Sequence, residues 1–76
     1  MRELVEFLLR SLVDDPDAVR VEEKPRGGAI TLEVRVAPAD MGKVIGKQGR
    51  TVNAIRTVVK AAAVKKGVRV DVEIVD

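Results

Sequence analysis

The sequence predicts a small α+β domain in two layers, with element order α-β-β-α-α-β and a three-stranded sheet whose helices lie on one face. Three observations predict it. Apolar residues recur at helical spacing in three segments. They alternate strictly in two others, one beside a Gly-Gly turn and one at the end of the chain. Every expected strand has one apolar and one polar face, so the sheet needs a helical cover on one side only.

The elements follow in order. Arg2 to Val13 reads as a helix, because Leu4, Leu8 and Leu12 fall at i, i+4, i+8 with Val5, Leu9 and Val13 beside them. Phe7, the single aromatic residue, sits at the edge of this stripe and is expected in the core or at an interface. Asp14, Asp15 and Pro16 end the helix, since proline disfavours helical geometry in the residue before it. Ala18 to Lys24 alternates weakly, with Val19 and Val21 on one face. Pro25, Arg26, Gly27 and Gly28 supply a turn, and Ile30 to Val36 alternates strictly, so the two strands form a hairpin. Pro38 opens a short helix, and Asp40 suits its positive end. Gly46 to Gly49 interrupts. A longer helix follows from about Arg50 to Lys66, with Val52, Ile55, Val59 and Ala62 on one face and Val58 and Ala63 widening it. Gly67 stops it. The last strand is Val68 to Val75, with Val68, Val70, Val72 and Ile74 facing one way.

Composition narrows the function. The 76 residues are enough for one domain, 1–76, and a body this small buries only ~60% of its unfolded surface. There is no Cys, which excludes disulfides and thiolate metal sites and suits a reducing cytoplasm. There is no His, the commonest metal ligand and general base. Ser11 is the sole serine, with no base in sequence reach, and no paired carboxylates lie near the basic segment. No enzyme, cofactor or metal is therefore expected. No stretch approaches the ~20 apolar residues that span a bilayer, so no membrane partner is expected.

The charge is segregated. Net charge is only +2. Yet Met41 to Val70 holds eight basic residues and no acidic one: Lys43, Lys47, Arg50, Arg56, Lys60, Lys65, Lys66 and Arg69. The other 46 positions hold 6 basic and 12 acidic residues. A basic segment attached to an acidic remainder points to a polyanionic partner. Lys60, Lys65 and Lys66 read as a solvated helix face, whereas Lys43 and Arg56 lie about one turn from Gly46–Gly49 and can reach phosphates.

That glycine loop is the feature that suggests the partner. G-x-x-G alone is weak, but here Val44-Ile45 precedes it, Val52 follows it, helices flank it, and Lys47 and Arg50 lie in or beside it. Glycine lets a sugar-phosphate chain approach closely, and the following helix begins with unpaired N–H groups that favour anions. A tight turn between packed helices is the plain alternative, but it does not need the flanking cations. A Walker-type phosphate loop fails at Met41 and Gln48.

The run Val44-Ile45-Gly46-Lys47-Gln48-Gly49-Arg50-Thr51-Val52 resembles the KH signature, (V/I)-I-G-x-x-G-x-x-(I/V). The element order resembles the type II, bacterial KH fold, and the resemblance covers the whole chain. At this length the chain is similar to the bacterial KhpA family. The resemblance implies a cytoplasmic protein that dimerises, pairs with a KhpB-type partner, and acts as an RNA chaperone linked to cell shape and cell-wall homeostasis. It further implies that Gly46, Lys47, Gln48 and Gly49 clamp about four nucleotides of backbone. Val44, Ile45, Val52 and Ile55 would form the apolar floor or the core beneath it. The strand Ile30 to Val36 would form the opposite wall, where backbone groups and Arg35 meet base edges. The partner expected is single-stranded RNA, with single-stranded DNA or a purely protein-binding dimer as the alternatives. RRM and OB-type readings are disfavoured, since no expected strand holds an aromatic residue for stacking.

Overall fold

The computed structural model describes residues 1–75, so Asp76 lies outside the described residues. Helix α1 spans Arg2–Leu12 and β1 spans Arg20–Arg26. Then come β2, Ala29–Arg35, and α2, Met41–Ile45. Helix α3 is Arg50–Lys66 and β3 is Val70–Ile74. The α-β-β-α-α-β order and the α+β class are as expected. Three short 3-10 turns, Pro16–Ala18, Pro38–Asp40 and Lys47–Gly49, join these elements.

The sheet order is β1-β2-β3. Strands β1 and β2 pair antiparallel, with Val21 opposite Val34. Strand β3 pairs parallel to β2, from Ile30 opposite Val70 to Val34 opposite Ile74. The α2–α3 unit makes the crossover between these parallel strands. Strand β1 starts later than expected, because Pro16–Ala18 is wound into a turn. It runs through Pro25, which a sheet edge tolerates because the missing N–H faces outward. The hairpin turn is therefore only Gly27-Gly28. Strand β3 is shorter than expected at both ends, and Val68 is exposed.

The core joins the layers. Val5 and Leu9 of α1, Leu32 and Val34 of β2, and Ile55 and Val59 of α3 are buried together with Val19, Val44, Val70 and Val72. The apolar stripe of α1 is thus centred on Val5 and Leu9. Leu4 and Leu8 are half-buried and Leu12 is exposed. Phe7 is 68% exposed, which corrects its placement in the core. It lies two residues, about 200°, around the helix from each of the two buried positions. On α3 the buried row is Val52, Ile55, Val59 and Ala63, while Ala62 is half-buried and Val58 exposed.

Candidate nucleic-acid interface

Helix α2 ends where Gly46 takes φ 76° and ψ 171°, and its N–H donates to Gly42 O at 2.8 Å. Gly49 takes φ 76° and ψ 11° at the start of α3. The two glycines are required for different reasons. A Cβ at Gly46 would meet Thr51 Oγ1 and lie 2.7 Å from Thr51 Cβ, so that position is sealed by packing. A Cβ at Gly49 would lie at an ordinary 3.7 Å from Asn53 Nδ2, so only its backbone angle demands glycine. Between them Gln48 holds φ 57°, a left-handed conformation without glycine.

The loop uses part of its own polar capacity. Gly49 N–H donates to Gly46 O at 3.1 Å, and Arg50 N–H donates to Lys47 O. The anion site expected at the start of α3 therefore lacks those two amides, but no side chain caps the helix either. The side chains of Lys47 and Gln48 are exposed at the tip, and Arg50 Nη2 donates to Gln48 Oε1 at 3.4 Å.

The expected site residues divide. Val44, Val52 and Ile55 are buried and belong to the core beneath the loop, whereas Ile45 is 39% exposed at the rim. Lys43 faces away from a free role. It is ion-paired with Asp14 and lies 3.9 Å from Asp40 Oδ1. The hydrogen bond to Asp14 raises the Lys43 pKa above its ordinary value, against a smaller desolvation effect and with the charges of Asp14 and Asp40 adding to it. Among the described residues, the other seven cations between Met41 and Val70 are in no ion pair. Lys47 and Arg50 thus bring uncompensated positive charge to the loop itself.

The open sheet edge beside α3 belongs to β3, not β2. Strand β2 is central, so its backbone groups are paired on both sides and cannot meet a ligand. Ile30 N–H donates to Arg69 O and Val75 N–H donates to Val34 O, both at 2.9 Å. In a parallel ladder this phase turns the N–H and C=O groups of residues 69, 71, 73 and 75 toward β2. Those of Val70, Val72 and Ile74 face the open edge. Arg35 is exposed, and the alternation with buried Val34 puts it on the sheet face away from the helices. The structure therefore does not bring Arg35 to the loop.

Arg56 links the loop side to this edge. Its Nε donates to Val72 O at 3.2 Å, and its Nη1 donates to Asn53 Oδ1 at 3.4 Å. Asn53 in turn adjoins Gly49. Gly49, Asn53, Arg56 and Val72 so form one line from loop to strand. An open cleft of about 300 Å³ continues beside β3, lined by Lys60, Ala63, Val64, Val68, Arg69, Val70 and Asp71. Asn53 was not singled out from the sequence, although its i, i+3 spacing to Arg56 carries that information. Lys60, expected on a solvated face, lines the cleft.

The comparisons agree with this architecture. A family model described as "KhpA/KhpB, KH domain" matches residues 2–74. A protein of Clostridium acetobutylicum named RNA-binding protein KhpA is 60% identical over 75 residues, covering 99% of this chain and 100% of that one. The RNA-binding protein KhpA of Aquifex aeolicus is 45% identical over 76 residues, covering 100% of this chain and 96% of that one. Among solved structures, Aquifex aeolicus Era bound to GDP.AlF4- superposes with a TM-score of 0.65 at 22% identity. It covers 96% of this chain but only 28% of Era, and the likeness is one of fold. Era in complex with MgGDPNP and nucleotides 1506–1542 of 16S ribosomal RNA matches equally well.

Proposed function

The chain belongs to the KhpA/KhpB family of KH domains, and from that premise we propose that it binds single-stranded RNA between the Gly46–Gly49 loop and the open edge of β3. The observation that carries this reading is the line from Gly49 through Asn53 and Arg56 to Val72 O, flanked by Lys47, Arg50 and Lys60, which are in no ion pair among the described residues. Lys47 and Arg50 hold phosphates at the loop, and Arg56 and Lys60 follow the strand along the cleft. Lys43 is a lesser contributor because Asp14 already compensates it. The names of the relatives support RNA as the polyanion. The loop holds backbone, and base contacts fall to the β3 side.

Affinity is modest, since the groove lacks aromatic platforms that supply ~1–3 kcal/mol per base. A second chain raises effective concentration. One observation favours dimerisation: a nearly all-apolar cleft of about 280 Å³ between α1 and α3, lined by Leu8, Leu12, Ala54, Ile55 and Val58 with Ser11 and Thr51. A second copy or a KhpB-type chain is its occupant in this reading. The wider role is a cytoplasmic RNA chaperone linked to cell shape and cell-wall homeostasis.

The test of the clamp must spare the glycines. Replacing Gly46 would collide with Thr51 and confuse folding with binding. Changing Lys47→Asp together with Gln48→Asp reverses the charge at one exposed position and adds a negative charge at the next, and aspartate tolerates the left-handed angle at Gln48. Titrating a labelled single-stranded RNA should show at least about ten-fold weaker binding with an unchanged melting curve. Binding equal to the parent sinks the clamp. Sedimentation of a Val58→Asp variant tests the dimer, which should shift toward monomer while staying folded. An unchanged sedimentation coefficient removes the α1–α3 cleft from the interface.

A further inference from the structure

We propose that the RNA track runs on past the groove to a second phosphate-binding site at the hairpin end of the molecule, where Arg26 and Arg69 flank Ala29 on the outer face of the sheet. The bound strand is then longer than the about four nucleotides that a KH loop clamps. The inference rests on the RNA groove proposed above and adds a site outside it.

The strand register builds the site. Arg26 pairs with Ala29 across the hairpin. Ile30 pairs with Val70, and its N–H donates to Arg69 O, so Arg69 stands on the other side of Ala29. Val21, Leu32 and Val70 are buried on the core side, and alternation therefore puts Arg26, Ala29 and Arg69 together on the outer face. The two arginine backbones are two strand spacings, about 10 Å, apart. Only the methyl group of Ala29 stands between them, so two guanidinium groups can close on one phosphate from both sides. Both side chains are exposed, and neither is in an ion pair among the described residues. By sequence Arg26 belongs to the acidic remainder of the chain, and only the sheet brings it to Arg69.

Three features connect this pair to the groove. Arg69 also lines the cleft that continues the groove beside β3, together with Lys60, so one side chain belongs to both. Lys65 and Lys66 end α3 at the same pole, where Gly67 and Val68 turn the chain back to Arg69. Helix α3 has 17 residues, so this pole lies about 25 Å from the glycine loop. The third feature sets the direction. The next row of the outer face carries Lys24 and Asp71, one charge of each sign, and the row after it sets Glu22, Glu33 and Glu73 side by side across the three strands. Those carboxylates repel a phosphate chain. A strand leaving the cleft is therefore turned over the hairpin end, away from the middle of the sheet.

The plain alternative is that these cations only keep the end of the sheet soluble. RNA length separates the two. Random-sequence RNAs of five and of ten nucleotides would be titrated over a salt series with the parent, Arg26→Gln, and Arg26→Gln combined with Arg69→Gln. Arg2→Gln combined with Arg10→Gln, at exposed positions of α1, is the control of equal net charge. Arg26→Lys keeps the charge, and each variant's melting curve would be recorded alongside. With the ten-mer the slope of log affinity against log salt should be flatter by about 0.7 in the single variant and about 1.4 in the double variant. With the five-mer, which the groove fills, the parent and Arg26→Gln should give the same slope. Arg26→Lys should follow the parent at both lengths. A ten-mer slope unchanged in both site variants overturns the second site and leaves the groove standing. Equal flattening at both lengths by Arg26→Gln overturns it too, as does equal flattening by the α1 control, since either reflects only the overall field. Failure of the parent to bind either RNA sinks the groove and this inference with it.

Discussion

The carboxylate of Asp40 is 2% exposed, with Oδ1 accepting Asp14 N–H at 3.2 Å and Oδ2 accepting Asp15 N–H at 3.1 Å. It fastens the chain leaving α1 to the start of α2, and Lys43 extends the clasp to the Asp14 side chain. Asp40→Asn places an N–H2 group against one of those amides. Leaving a buried donor unpaired costs ~1–3 kcal/mol, and in a domain of this size each kcal/mol lowers Tm by roughly 4–8 °C. Thermal melting followed by circular dichroism should show that loss, and an unchanged Tm would mean the clasp is not a stabilising contact. From the sequence Asp40 promised only a favourable place at a helix start, and no side-chain cap forms there. Its partners lie some 25 positions upstream, which no local pattern encodes. Gly46 and Gly49 were legible because backbone angles and close packing select glycine outright. The left-handed angle at Gln48 was not, because a residue tolerated in spite of its type leaves no mark.

At the scale of elements, α3 is organised in three parallel rows, each spaced i, i+3, i+7. Val52, Ile55 and Val59 face the core. Asn53, Arg56 and Lys60, turned about 100° to one side, face the strand and its cleft. Thr51, Ala54 and Val58, turned as far to the other side, line the apolar cleft with α1. Hydrophobic spacing identifies the first row and is silent on what its neighbours meet. The same ambiguity misplaced the centre of α1, where Leu8 and Leu12 compete with Val5 and Leu9 for the same pattern. Packing against the sheet decides it, and mutation can check the decision. Leu9→Ala should cost ~2–5 kcal/mol in urea unfolding. Leu12→Ala should cost well under half as much at low protein concentration, since Leu12 is already exposed. Equal losses would contradict the packing. Strand neighbours were equally hidden. Alternation tells which face a residue takes, not which strand lies beside it. Alternation alone therefore suggests β2 as a groove wall, and the parallel pairing of β3 places β2 in the centre of the sheet.

Over the whole molecule the charge separation survives folding but is not as large as a count of residues suggests. Counting treats every cation between Met41 and Val70 as free, yet Lys43 is paired with Asp14, a residue 29 positions earlier in the acidic part of the chain. The fold thus draws one acidic side chain into the basic segment and leaves seven cations uncompensated among the described residues. Single-stranded nucleic acid releases about 0.7 counterion per phosphate neutralised, so the slope of log affinity against log salt counts the cations that bind. Lys47→Ala should flatten that slope by about 0.7. Lys43→Ala should leave it nearly unchanged, because the charge it removes was already compensated and it frees Asp14 in the same step. The two variants carry the same net charge, so the field at long range changes alike in both. Only local compensation distinguishes them. Equal flattening by Lys43→Ala and Lys47→Ala would mean that RNA displaces Asp14 from Lys43 on binding, and that the α1–α2 clasp opens when the groove fills.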